Sequence, residues 1–322
     1  MRAKRSARTS GTRASTDLTS ARRETGGGDL RIGISGWRYA GWRGVFYPKD
    51  LAQRRELEFA SRAFNSVEIN GSFYSLQLPS SYEKWYAETP AGFVFSVKGP
   101  RFISHMKKLR DVEAPLANFF ASGVLALREK LGPILWQLPP NFGWNPERFA
   151  EFFSLLPRET TAAARLARKH DAKLKSRPWT KIDQSRPLRY ALEVRHPSFM
   201  VLEFFDLLRQ HNIAFVMADT AGKWPYAEDL TADLVYARLH GDTQLYVSGY
   251  STAALDWWAA RIALWSRGKQ PADAKLIGAP PPAACKRDVF VYFDNDAKVH
   301  APFDATGLAE RLGVKWSPAL AS

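Results

Sequence analysis

Eight short apolar runs recur along this 322-residue chain, and between them lie stretches with helical spacing. The runs are RIGISGW (31–37), SVEINGSFY (66–74), GFVFSVKGP (92–100), GPILWQLPP (132–140), YALEVRHP (190–197), IAFVMADT (213–220), VYARLHG (235–241) and DVFVYFDN (288–295). Segments such as LAQRRELEFASRAF, PERFAEFFSLL and AALDWWAARIALW repeat apolar residues at i, i+3 and i+4, the period of an amphipathic helix. Strands alternating with helices imply parallel βαβ units. Eight of them imply closure into a TIM-type (β/α) barrel, a fold that commonly takes about 250 residues as one domain. Eleven Trp and twenty Phe supply ample core material.

The charge is unevenly placed. Seven Lys/Arg against two acids in residues 1–28, and ten against three in 157–189, leave only +2 of the net +14 for the rest. The expected organisation is a disordered basic tail (1–28) before one barrel domain (29–315), which carries a basic, solvated insertion at about 157–189. Such polycationic segments attract phosphate backbones without sequence preference. A single cysteine, Cys285, excludes an internal disulfide and any CxxC metal site, and fits a reducing cytoplasmic setting. No stretch approaches the roughly 20 apolar residues of a membrane span, and no feature marks a protein partner.

Alternation of side chains along each strand selects what faces the barrel interior. In ALEVRH, Leu192 and Val194 suit the helix layer, so Glu193 and Arg195 point inward, with His196 opening the loop. The same test sends Glu68 and Asn70, Lys98, Gln137, Asp219, and Arg238 with His240 inward. On VFVYFDN the two registers are nearly equivalent, leaving Asp294 and Asn295 open; Asn295 is carried into the candidate set. These polar groups gather at the C-terminal ends of the strands, where barrel active sites lie. Three acids (Glu68, Glu193, Asp219) against three bases (Lys98, Arg195, Arg238) also describe an ion-pair lattice with no ligand.

The motifs SGWRYAGWRGVFYP (35–48), FNSVEINGSFY (64–74), FSVKGPRFISH (95–105), LGPILWQLPP (131–140), EVRHPSF (193–199), ARLHG (237–241) and VYFDN (291–295) resemble the YecE-like family, also called domain-of-unknown-function family 72. The likeness spans about residues 31–312. It implies a TIM-type barrel and a pocket, and no established reaction. Gly71 and Ser72, Asp294 and Phe199 depart from the family's usual residues and leave the polar ring intact.

The residues favour an enzyme acting on an anionic substrate: phosphorylated, carboxylated or a nucleic acid. Glu68 or Glu193 is the expected general base and His240 or His105 the acid. Lys98, Arg101, Arg195 and Arg238 are the expected anion contacts, with Asn70, Gln137, His196, Asp219 and Asn295 lining the site. Trp37 and Tyr74 offer stacking faces for a base or sugar. A helix near Asp304 would add its N-terminal dipole. The cofactor is left open. A divalent metal serving a hydrolase or isomerase is the alternative, disfavoured by the repulsion of Lys98, Arg195 and Arg238. A non-catalytic ligand- or nucleic-acid-binding barrel is the other.

Overall fold

A computed structural model describes residues 26–278 and 286–318. Most of the tail and the Pro-rich stretch that holds Cys285 therefore lie outside the described residues. Eight parallel strands close into a barrel in sequence order. They are β1 (Leu30–Ser35), β2 (Ser66–Ile69), β3 (Val94–Lys98), β4 (Leu131–Gln137), β5 (Tyr190–Glu193), β6 (Ile213–Asp219), β7 (Leu234–Leu239) and β8 (Asp288–Phe293). Closure is direct: β8 pairs with β1, with Gly33 opposite Tyr292.

Nine α-helices surround the strands among the described residues: α1 (Glu56–Ala63), α2 (Gly71–Tyr74), α3 (Pro79–Glu88), α4 (Glu113–Ala121), α5 (Pro146–Leu155), α6 (Thr160–Ala167), α7 (Leu202–Gln210), α8 (Thr252–Ser266) and α9 (His300–Arg311). Their apolar stripes bury Phe149, Phe152, Phe204, Trp258 and Trp265 against the outward face of the barrel. The run 66–74 is not one extended segment: β2 stops at Ile69, and GSFY winds into the one-turn α2.

The basic segment 157–189 is more ordered than its charge implies. Its Ala-rich stretch forms α6, which packs on α4 through buried Ala163, Ala164 and Ala167 and leaves Arg165 and Arg168 exposed. Small residues allow that close approach, while the cations stay in water. Further along, Trp179 N donates to Ala121 O at 2.8 Å.

Inside the barrel the filling is layered. Leu135, Ala191, Ala214, Val216, Ala218, Leu234, Tyr236, Phe290 and Tyr292 form an inner cluster separate from the outer core. Tyr292 OH meets Ser66 Oγ at 2.6 Å, and Tyr236 OH meets Ser96 Oγ at 2.7 Å. The tyrosines take up so much of the interior that β6 contributes only Ala214, Val216 and Ala218 to it. Phe215 and Met217 turn to the helix layer, and Asp219 goes with them. The inward placement expected for Asp219 is thus reversed by side-chain volume.

Candidate active site at the barrel mouth

Strand ends, together with Asp294 just past β8, bring Ser35, Glu68, Lys98, Gln137, Glu193, Arg238 and Asp294 to the C-terminal mouth of the barrel. At the centre lies Arg238, fully buried on β7. Its Nε and Nη2 hold both oxygens of Glu68, at 3.1 and 2.9 Å. Nη1 donates to Glu193 Oε2 at 2.7 Å, and Nη2 reaches Ser35 Oγ at 3.0 Å and Asp294 Oδ2 at 3.1 Å. A planar guanidinium offers five donors in a rigid fork, which suits a ring of carboxylates. Tyr236 OH adds a bond to Glu68 Oε2 at 2.7 Å, and Ser35 Oγ one to Glu68 Oε1 at 2.5 Å. Asn70 braces Ser35 through Nδ2 at 2.9 Å.

A second guanidinium completes the arrangement. Arg195 brings Nε and Nη2 to within 2.8 Å of Glu193 Oε1 and lies 3.7 Å from the centroid of the Trp224 ring. Burial would raise the Glu193 carboxyl, but Arg195 and Arg238 outweigh it and hold the group well below the ordinary range. Asp294 behaves likewise: burial opposes its charge, and Arg238 and His240 override that. His240 Nδ1 lies 3.0 Å from Asp294 Oδ2, while its Nε2 is 3.3 Å from Arg238 Nη1. Three carboxylates and Arg238 therefore form one buried lattice, whose third acid is Asp294 rather than Asp219.

Facing this lattice are groups with spare capacity. Lys98 is 7% exposed, its Nζ is 4.5 Å from the centroid of the Phe73 ring, and it has no hydrogen-bond acceptor among the described residues. Burial, then repulsion from Arg238, bring its amine down to about 8, against the pull of Glu68, Asp294 and Glu193. The Gln137 carboxamide, whose strand position pairs with Glu193, is likewise without a partner among the described residues. His105 sits in the turn after β3, with Nδ1 at 2.9 Å from Ser104 Oγ and its ring edge-on to Phe73. Burial and three cations, Arg195, Lys98 and Arg101, push its imidazole down to about 4.

Other expected site residues lie elsewhere. Asn295 points outward, donating to Ser248 O at 2.9 Å and Asp304 Oδ2 at 2.7 Å. The β8 register puts Phe290, Tyr292 and Asp294 on the inner face, and Phe290 and Tyr292 complete the inner layer. Trp37 is buried edge-on against Trp85 and offers no stacking face to the mouth. His196 caps the turn at Pro197–Phe199, where its Nδ1 accepts from Ser198 N. Asp219 accepts from Tyr250 OH at 3.1 Å, and burial raises its carboxyl. Tyr74 is 70% exposed beside Phe73, and Arg101 is exposed one residue before the turn that holds His105. The helix expected near Asp304 begins at His300, and Asp304 lies within it.

Two contributors escaped the sequence reading. Ser35 ends β1 on the inward face, and alternation from Gly33 would have found it. Trp224 comes from the loop after β6, where no periodic signal exists. As for a metal, Glu68, Glu193 and Asp294 all direct oxygens at Arg238, so its guanidinium holds the position a shared cation would take. Among the described residues no group of three or more His, Cys, Asp or Glu is arranged to ligate an ion.

The geometry defines a class: a single eightfold parallel barrel whose C-terminal mouth holds a charged, largely self-paired polar ring. The family described as "Protein of unknown function DUF72" matches residues 31–321, and the chain belongs to that family. The UPF0759 protein YunF of Bacillus subtilis (strain 168) is 32% identical over 126 residues, covering 38% of this chain and 44% of YunF. The UPF0759 protein YecE of Escherichia coli (strain K12) is 29% identical over 172 residues, covering 53% and 50%. The match thus spans about half the length of these curated relatives. A DUF72 family protein from Thermotoga maritima MSB8 superposes with a TM-score of 0.66 at 24% identity, covering 88% of this chain and 99% of the other. One from Enterococcus faecalis V583 gives 0.63 at 15% identity, covering 91% and 100%. These likenesses establish the barrel. No helix among the described residues is long and apolar enough to cross a membrane.

Proposed function

We propose that the barrel mouth is an enzyme active site for a small anionic substrate, phosphorylated or carboxylated, worked on by acid–base chemistry. The observation that carries this reading is that Lys98 and His105 lie against the same Phe73 ring, with Lys98 Nζ 4.5 Å and the His105 ring centre 5.1 Å from its centroid, while Arg195 and Arg101 add further positive charge. Such crowding of like charge around a ligand-accessible group is costly in the free protein, and an anion relieves it.

The roles follow from what each group has left to offer. Glu68 and Glu193 are fully buried and engaged by Arg238, so they position the cations rather than take protons from a substrate. Arg195 retains an Nη1 donor for the anion, and Gln137 supplies a neutral one. His105, uncharged in the free protein, is the general base. An anion bound beside it raises its proton affinity, so the same ring can return the proton as an acid after substrate binds.

The test is His105 titration by NMR with and without inorganic phosphate or glycolate. An upward shift on adding either anion, lost in Arg195→Gln, supports the site. Titration that neither anion moves sinks the reading. A bound anion with no turnover in any His105-dependent assay identifies a binding barrel instead. A second reading takes a nucleic acid, favoured by exposed Tyr74 and Phe102 next to Arg101. Salt-resistant single-strand binding that Tyr74→Ala and Phe102→Ala weaken by about 1–3 kcal/mol per stacked base would favour it.

A further inference from the structure

Buried cations in this protein normally find acceptors. Lys130, 5% exposed, gives Nζ to Tyr86 O at 2.7 Å, Thr89 O at 2.6 Å and Thr89 Oγ1 at 3.1 Å. Arg238 has its carboxylates, and Arg261 pairs with Glu228 and Asp273. Lys98 differs. It is about as buried as Lys130, yet every carboxylate around it is already turned toward Arg238 or Arg195. An ammonium held in that way loses most of its hydration and gains a cation–π contact with Phe73, but no protein hydrogen bond, in return.

The backbone beneath Lys98 is pinned on both sides. Ser72 Oγ donates to Lys98 O at 2.6 Å, and Gly99 N donates to Leu135 O at 2.8 Å. The side chain therefore rises from a fixed base, with Phe73 as an apolar wall and the mouth as its outlet. A largely buried lysine with no protein acceptor among the described residues, beside another cation and at a fixed position in a polar cleft, is the arrangement that makes an amine nucleophilic.

We propose that Lys98 is a carbonyl-reactive amine that forms an imine with a small aldehyde or ketone carrying an anionic group, which Arg195 holds. The inference rests on the anion-site reading above and names its substrate class. The nitrogen lone pair forms a bond to the carbonyl carbon as the C–O π bond breaks, giving a carbinolamine. The C–O bond then breaks and the oxygen departs as water, both of whose hydrogens come from the lysine nitrogen. No oxidant or reductant is consumed. The charged groups that bear on this amine are Arg238 from β7, Glu68 from β2, Glu193 from β5 and Asp294 just after β8. His105, from the turn that follows β3, lies close enough for Lys98 to depress it. With the amine near 8, its free-base fraction at about pH 8 exceeds that of an ordinary lysine on the order of a hundredfold.

The experiment uses the full chain, glyoxylate as the anionic aldehyde, glycolaldehyde as its neutral counterpart, and cyanoborohydride to reduce any imine. Peptide mapping then locates the adduct. Lys98 should label at least about tenfold faster than exposed Lys49 and Lys298. Glyoxylate should be preferred to glycolaldehyde, and glycolate should protect. Lys98→Arg should abolish the fast label while near-ultraviolet circular dichroism shows the same packing. Labelling of Lys98 no faster than Lys49 overturns the proposal. If calorimetry nonetheless detects glycolate, the imine chemistry alone has failed and the anion site stands. Fast labelling that does not distinguish the two aldehydes, with no glycolate bound, instead removes the anionic requirement and the reading beneath it.

Discussion

Arg238 reaches across the closed barrel from β7 to take both carboxylate oxygens of Glu68 on β2, and neither side chain is exposed at all. Pairing of this kind gives little net stability compared with an apolar core, but breaking one partner leaves the other charged and dry. Arg238→Met should therefore lower unfolding free energy by about 3–5 kcal/mol, measured by urea denaturation. Loss below 1 kcal/mol would mean that water enters and solvates the abandoned carboxylates.

Acid should act on the same lattice. Glu193 and Asp294 have depressed folded-state affinities for protons, so the unfolded chain binds protons first as pH falls. Their contribution is fully present above the ordinary carboxylate range, near about 4, and is lost progressively below it. Urea midpoints measured from neutral pH downward should fall less steeply in Glu193→Gln than in the parent. Parallel curves would place the acid sensitivity elsewhere.

Asp296 has the opposite sign. Burial first, then Asp294, raise its carboxyl to about 6. A raised group favours the folded state below its unfolded value and loses that advantage as pH rises through 6. Asp296→Asn is thus expected to stabilise the protein at neutral pH and to have progressively less effect toward pH 4. Melting temperatures at several pH values provide the check.

His105 reports the local field. Arg195 is the largest charged contributor to its low proton affinity, after burial. In Arg195→Gln, the His105 carbon-bound proton resonances should titrate at higher pH than the parent's value of about 4. An unchanged midpoint would show that Arg195 does not act on the ring, leaving burial, Lys98 and Arg101 as its causes.

Gly33 marks a limit of a different sort. A Cβ there would fall 1.8 Å from the carbonyl oxygen of Ser66, its partner on β2, and that obstacle is strand backbone rather than the end of a flexible side chain. Gly33→Ala should lower the melting temperature sharply or leave little soluble protein; a stable variant would require β1 and β2 to separate locally.

The eight strands and the polar mouth were legible because period-two alternation in Glu193, Arg195, Lys98 and Arg238 is local information. Asp219 was misplaced, and Asp294 could not be told from Asn295, because both faces of β6 and β8 carry apolar residues. There the inward face is chosen by volume, namely by how Tyr236 and Tyr292 fill the interior, and a single strand does not contain that fact. Trp37 looked like a loop aromatic, and its burial depends on Trp85, 48 positions away in α3. The charge of 157–189 pointed to solvation, while the Ala face of α6 was overlooked among the arginines.

Closure of the ring also orders events in time. Glu68 and Arg238 are 170 residues apart, and Ser35 and Arg238 are 203 apart. A growing chain that has emerged only as far as β6 holds Glu68 and Glu193 with no central cation to reconcile them. Bringing such distant partners together costs loop-closure entropy before any contact repays it, which makes their meeting a late, slow step. The mouth is therefore completed by the last strands to arrive, and a fragment ending before β7 has six of the eight strands, with Lys98, His105 and Arg195 in place, but lacks the Arg238 that ties Glu68 to Glu193.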